Sequence, residues 1–175
     1  MSALAKSIFP VNNSSMIQTP RLLIDPFTPE DAEGFFKLSH NPGFALYPIN
    51  DYRQKDTESA RQWIESQRGK FAVREISSDG LIGMGGLTPW SWEGEALVDI
   101  TYRLRDSAWG RGLGMELARA LVEHGFSTLG LGEITATITP DNLPSLKIAE
   151  RLGMKFDRVI LLNGITTQLH RLHRP

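Results

Sequence analysis

The chain has 175 residues, 41% of them hydrophobic, with 19 Lys and Arg against 20 Asp and Glu and no Cys. That length suits one core and is short for two, and a net charge of -1 with dispersed basic residues excludes a nucleic-acid or polybasic membrane patch. Without cysteine there are no disulfides, thiolate metal ligands or cysteine-bound intermediates, which fits a reducing cytoplasm.

A single domain over residues 1–175 is therefore expected, acting on a small soluble molecule or a peptide end. The opening residues MSALAKSIFPVNNSSM, 1–16, have too short an apolar run for a signal peptide and are expected to form a loose N-terminal segment. No stretch approaches the roughly 20 apolar residues of a membrane span.

In chain order, RLLIDPF (Arg21 to Phe27) predicts a strand, and TPEDAEGFFKLSH a helix with Thr28 as N-cap, Pro29 at the first position and Asp31 completing a capping-box pattern. TESARQWIESQRG predicts a second helix beginning at Thr57, with Ala60, Trp63, Ile64 and Gln67 on one stripe and Gly69 at its end. KFAVREI, LIGMGGLTPW and EALVDITYRL predict an antiparallel meander, its first pair joined at Asp79-Gly80.

A helix over Gly112 to Leu129 follows, then EITATIT as a strand and NLPSLKIAERLG as a helix stopped by Gly153. A final hairpin turns at Asn163-Gly164. This order is neither doubly wound nor an all-strand sandwich. It predicts an α+β fold, a mixed and mostly antiparallel sheet with helices on both faces and one parallel pair in mid-sheet, between EALVDITYRL and EITATIT.

The crossover between those two strands enters its helix through SAWGRGLGMELARAL, with glycine at 110, 112 and 114. A helix entrance presents unpaired N–H groups and the positive end of the dipole, and glycines let an anion come close to them. Arg111 adds a cation able to reach phosphate oxygens. The spacing fits neither a dinucleotide fingerprint, since Met115 and Leu117 stand where glycine is needed, nor a P-loop, which requires Gly-Lys-Ser/Thr. A tight loop with glycines for packing alone is the bland alternative.

These residues resemble the GNAT acyltransferase superfamily and, within it, the Rim-type branch of ribosomal-protein N-terminal acetyltransferases. Gly112-Leu113-Gly114 matches the superfamily glycines, and Leu104 matches the strand end. Trp109 replaces the usual Gln or Arg, as in the Rim branch. TPRLLIDPFTPEDA, ITYRL and PDNLPSLKIAERLGM fall in the same order as in that branch, so the likeness runs from Thr19 to about Leu172.

The resemblance implies the acyl-CoA N-acyltransferase (GNAT) fold with a splayed central parallel pair, and acetyl-CoA as donor with no metal. It implies pyrophosphate on the amides of Gly110, Arg111, Gly112, Leu113, Gly114 and Met115. The pantetheine arm would lie along Tyr102, Arg103 and Leu104, where the strand parts from EITATIT, and Asn142 would also contact it. Asn142 is by default a helix N-cap, a role that can coexist with that contact.

Direct attack by an amine needs an acceptor for its proton, a site for the oxyanion and help for the departing thiolate. The family's tyrosine acid would fall at position 149, which is Ala149 here, so Ser145 at the Rim-branch Asn-x-x-Ser position is the candidate acid; its alternative is a first-turn serine bonding to backbone.

The usual base positions hold Val98, Ile100 and Thr137. Asp99 and Glu95 are the nearest carboxylates. Alternation places Asp99 on the face of Thr101 and Arg103, which predicts a solvated carboxylate or an Asp99–Arg103 pair and leaves the proton to a water chain. His170 and His173 point to opposite faces, poor metal geometry, and Trp90 and Trp92 predict sheet-edge packing in preference to an acceptor pocket.

The expected activity is a cytoplasmic N-acetyltransferase acting on a primary amine, either a protein N-terminus or a small molecule, with no nucleic-acid or membrane partner and with a homodimer left open. The alternatives are a CoA-binding sensor or inactive scaffold of the same fold, or a binder of another phosphate ligand.

Overall fold

A computed structural model describes residues 16–47, 49–67, 69–78 and 80–175. Of the loose segment expected over residues 1–16 all but Met16 lies outside the described residues, as does Asp79 of the first turn. One eight-stranded sheet runs through the molecule, comprising β1 (Ile17–Gln18), β2 (Leu22–Pro26), β3 (Lys70–Glu75), β4 (Leu81–Trp92), β5 (Glu95–Leu104), β6 (Glu133–Ile138), β7 (Lys155–Leu162) and β8 (Ile165–His173). Its order is β1-β2-β3-β4-β5-β6-β8-β7, and only β5 and β6 are parallel.

The α-helices among the described residues are α1 (Ala32–Ser39), α2 (Pro42–Ala45), α3 (Thr57–Ser66), α4 (Leu113–Ser127) and α5 (Leu143–Leu152). The fold is α+β with helices on both faces, as the element order implies. One face of β2–β6, with Ile24, Val73, Leu87, Ile100 and Ile134, packs against Leu113, Leu117 and Leu121 of α4. On the other face Met84 joins Phe35 of α1, Phe44 of α2 and Ile64 of α3. There Phe35 stacks on Trp63, centroids 4.3 Å apart, which fixes α1 against α3.

Local signals account for most boundaries. Thr28 donates its backbone N–H to the Asp31 carboxylate at 2.9 Å, although the turn it starts, Pro29–Asp31, is a 3-10 turn leading into α1. The cap of α3 is Asp56, one residue before the expected Thr57: Asp56 Oδ1 accepts from Ser59 N at 2.7 Å, and Ser59 Oγ accepts from Asp56 N. That helix stops at Ser66, short of Gly69.

Strand β4 continues through Trp92, two residues beyond the expected end, because Glu93 and Gly94 take the left-handed turn at φ 46° and 86°. The Asn163-Gly164 turn is of the same kind. The short β1 and α2 carry too few residues for a periodic signal.

Gly86 shows why β4 carries glycines. Its Cα faces the Gly69 carbonyl, which accepts from Leu87 N at 2.8 Å, and a Cβ there would lie 2.0 Å from Gly69 O. Gly86→Ala is expected to destabilise the fold by about 1–3 kcal/mol, read from the urea midpoint at unchanged m-value.

Candidate active site

The parallel pair β5–β6 has one registered residue pair, Asp99 with Thr135. Beyond it the strands part, and a cleft of about 510 Å³ opens between them. Thr101, Tyr102, Arg103 and Leu104 of β5 line it on one side, and Ala136, Thr137 and Ile138 of β6 on the other. Backbone groups at a diverging parallel pair have lost their ladder partners and can take an extended ligand by strand addition.

At the mouth of the cleft stands the entrance of α4. Gly112 is its N-cap at φ 78°, and Gly110 also sits at positive φ, 71°, a conformation that glycine adopts without strain. The first intrahelical bond runs from Glu116 N to Gly112 O, so the N–H groups of Leu113, Gly114 and Met115 precede it, and all three residues line the cleft. A Cβ at Gly110 would meet nothing within 4 Å, whereas one at Gly114 would lie 3.3 Å from Ile148 of α5. Two glycines thus shape the turn, and the third lets α4 and α5 meet.

This entrance is braced from three sides. Trp109, in place of the usual Gln or Arg, donates its indole N–H to Leu104 O at 3.0 Å and so ties the strand end to the glycine turn. Arg21 donates to Arg111 O at 2.8 Å and to Glu116 at 2.7 Å. The Arg111 side chain, expected to face phosphate, instead makes a two-pronged pair with Glu75 of β3, which holds the Glu75 carboxyl below its ordinary range.

The opposite end of the cleft reaches the α1–α3 face of the sheet. Tyr47, Ile49, Asn50 and Tyr52, from the segment between α2 and α3, line it there together with Asp99 and Thr101. Arg103 fixes that segment by donating to Phe44 O at 2.9 Å and to Tyr47 O, with its guanidinium 5.0 Å from the Tyr52 ring centroid. Arg103 is therefore not the partner of Asp99.

Asp99 is also not a freely solvated carboxylate. The face assignment from alternation is right, but Tyr47, Ile49, Asn50 and Tyr52 gather on that face and leave Asp99 only partly exposed. Its Oδ2 accepts from Thr137 Oγ1 at 2.8 Å, and its Oδ1 lies 3.0 Å from Thr135 Oγ1. Burial pushes its pKa up to about 7, against the opposing pull of the two threonine hydrogen bonds and of Lys70. Lys70 reaches the same face with Nζ 3.2 Å from Thr88 Oγ1, and Thr88 is the registered partner of Asp99 on β4.

Thr135 Oγ1 also lies 3.1 Å from Val98 O but has a single proton to give. With Asp99 ionised that proton is drawn to the carboxylate, and with Asp99 protonated it is free for Val98 O. The sequence pattern did not expose this cluster, since Thr135, Thr137, Lys70 and Tyr52 become neighbours of Asp99 only when the strands pair.

On the α4–α5 side, Asn142 Oδ1 caps α5 by accepting from Ser145 N at 3.2 Å, and both residues line the cleft. Tyr102 points to this side as well, its phenol 3.4 Å from Ser145 O. Other features stay apart from the cleft. His173 pairs with Glu133 at 3.3 Å, and Trp90 packs on Trp92 at 6.4 Å between centroids. No group of three or more His, Asp or Glu able to hold a metal occurs among the described residues, and none of the described helices is long and apolar enough to cross a membrane.

A parallel pair that parts after one register, with bare helix amides at its mouth, matches the splayed pair and amide entrance that the resemblance to acyltransferases implies. The acetyltransferase (GNAT) domain model matches residues 21–155, and the chain belongs to that family, whose fold uses acetyl-CoA; several curated relatives are named N-acetyltransferases, and the chain is an N-acetyltransferase. Among curated relatives, the uncharacterized protein YkkB of Bacillus subtilis (strain 168) is 29% identical over 159 residues, 86% of this chain and 91% of the relative. The uncharacterized N-acetyltransferase p20 of Bacillus licheniformis is 28% identical over 147 residues, 79% of this chain and 82% of the relative.

A GNAT-family acetyltransferase from Bacillus anthracis superposes with a TM-score of 0.73 at 23% identity, covering 90% of this chain and 96% of that one. RimL, a ribosomal L7/L12 α-N-protein acetyltransferase in complex with coenzyme A, superposes with a TM-score of 0.73 at 14% identity, covering 91% and 97%. At those identities the likeness is one of fold.

A carboxylate with a raised pKa binds its proton more tightly in the folded than in the unfolded chain, so its contribution makes stability fall as pH rises from about 4 to about 7. Asp99→Asn removes that slope. The stability of the variant relative to the parent should increase across this window and then level off, measured by urea unfolding at a series of pH values. A difference independent of pH would show that Asp99 is not held out of water.

Proposed function

We propose that the protein transfers acetyl from acetyl-CoA to a primary amine by direct attack in a ternary complex, the acceptor being a protein N-terminus or a small-molecule amine. The observation that carries this reading is the position of Asp99 at the apex of the cleft, with a pKa near neutrality, opposite a mouth of unpaired helix amides. The amides from Gly110 to Met115 hold the pyrophosphate without help from Arg111, which Glu75 engages. The open edge of Tyr102 to Leu104 holds the pantetheine arm, and the Asn142 side chain supplements it. Bound acetyl-CoA supplies the activated acyl carbon.

Asp99 accepts the proton of the acceptor ammonium as it enters below the Tyr47–Tyr52 segment. A base with a pKa near the working pH suits that task, being largely ionised yet still basic. Ser145 at the first turn of α5 donates to the departing thiolate on the opposite face. The near-neutral charge and the absence of cysteine fit a cytoplasmic enzyme, and the ordered Rim-type motifs favour a protein N-terminus among possible acceptors. The competing sensor reading rested on empty base positions and a missing acid, and Asp99 answers the first of these.

Mixing the protein with acetyl-CoA and a panel of amines and N-terminal peptides, and following free thiol, should give turnover. kcat/KM should fall about tenfold per pH unit below about 7 as Asp99 takes up its proton. Ser145→Ala should lose turnover far more than CoA affinity. Tight CoA binding with no thiol release across the panel would instead favour the sensor.

A further inference from the structure

We propose that the amine acceptor carries a carboxylate several bonds from its nitrogen, and that Arg103 is the residue that holds it. This rests on the reading of the cleft as an acetyltransferase site with Asp99 at the amine. Arg103 lies four residues past Asp99 on β5, so alternation puts both side chains on one face, about 13 Å apart along the strand. Tyr52 spans part of that interval: its ring centroid is 5.0 Å from the Arg103 guanidinium, and its phenol senses the charges of both Arg103 and Asp99. All three residues line the cleft beside Tyr47 and Asn50. An acceptor whose ammonium meets Asp99 therefore extends over Tyr52 towards the guanidinium.

Arg103 meets no counter-charge of its own. Its terminal nitrogens donate to the main-chain carbonyls of Phe44 and Tyr47, which are neutral. The arginines that brace the sheet elsewhere, Arg74, Arg111 and Arg171, each pair with a carboxylate, and among the described residues Arg103 does not. Asp51, whose charge pulls on Arg103 from a distance, is held by Arg53 at 2.8 Å. Burial keeps the guanidinium below its ordinary range, against the pulls of Tyr52 and Asp51, as for a cation drawn from water without a full partner. A guanidinium presents five N–H groups in a planar fork, so bonds to two carbonyls leave donors for a ligand carboxylate.

The lining of the cleft sets the sign of that ligand. Among the described residues Asp99 is its one carboxylate, against the cations Arg103, Lys147 and Arg151. Lys147 and Arg151 belong to α5, across the sheet from Asp99, so Arg103 is the cation on the acceptor side. An acceptor with a second ammonium at that end would meet like charge, and a neutral one would leave the guanidinium uncompensated. A carboxylate completes the pair, whether it belongs to a free amino acid or to an acidic residue next to a peptide N-terminus.

The test compares matched acceptors that differ only in charge. The small-molecule series is 5-aminopentanoate, 5-aminopentanamide and pentane-1,5-diamine, and the peptide series is Ala-Glu-Ala amide and Ala-Gln-Ala amide. With acetyl-CoA and free-thiol detection, kcat/KM should favour the carboxylate over its amide by about 10–100-fold in at least one series, with the diamine poorer still. A preference among the small molecules assigns the carboxylate to a free amino acid, and one confined to the peptides assigns it to an acidic second residue. Arg103→Gln should bring the acid-to-amide ratio to within about twofold of one. A merely structural loss would slow both acceptors alike and leave that ratio unmoved.

An acid preference below about tenfold in both series, or one that survives Arg103→Gln, overturns the inference and leaves acetyl transfer standing. If Arg103→Gln does not fold, Arg103→Lys, which keeps the charge and loses the planar fork, should lower the ratio at least about threefold, and an unchanged ratio overturns the inference. If the parent binds CoA without turnover, the same acid and amide pairs titrated into the enzyme–CoA complex give the ratio as Kd values. Failure to bind CoA overturns the proposed activity and this inference together.

Discussion

The site depends on the failure of β5 and β6 to pair beyond Asp99 and Thr135. A parallel pair in mid-sheet would ordinarily be buried and fully bonded, and opening it leaves main-chain groups without partners. The open pair persists because each strand is secured on its other side, β5 by ten registered residues of β4 and β6 by six of β8. Leu113, Gly114 and Met115 of α4 line the gap on one side, and Phe44, Tyr47 and Tyr52 line it on the other. The cleft is thus an interruption in one ladder, stabilised by the ladders on either side.

The opening also separates two polar environments. Alternation along one strand sends Asp99 and Thr101 to the face of Tyr47 and Tyr52 and Tyr102 to the face of α5. Residues three apart on β5 therefore reach separate sides of one cleft. The half-buried Asp99 carboxylate, with its raised pKa, opposes stability at neutral pH, and such local conflict is characteristic of functional positions.

Much of this was legible in the sequence wherever a signal is local. Asn163-Gly164 marks its hairpin because both residues take positive φ, and Gly153 ends α5 at φ 83° for the same reason. The glycines at 110, 112 and 114 located the helix entrance, and alternation assigned Asp99 to the correct face. What could not be read was contact over distance. Arg103 meets Phe44 and Tyr47 across 59 and 56 residues, so nothing near Asp99 announced that its face would be covered. Likewise the charge of Arg111 is evident, but its engagement by Glu75, 36 residues earlier, follows from the position of β3 beside the glycine turn.

Arg103 has one further consequence. It grips the chain beside the cleft through the carbonyls of Phe44 and Tyr47, groups present whatever side chains those positions carry. The fastening is therefore indifferent to the sequence it fastens, apart from the Tyr52 ring beneath the guanidinium. Under the proposed function, side-chain changes in this panel would alter which amine is admitted while leaving the other side of the strand as it is.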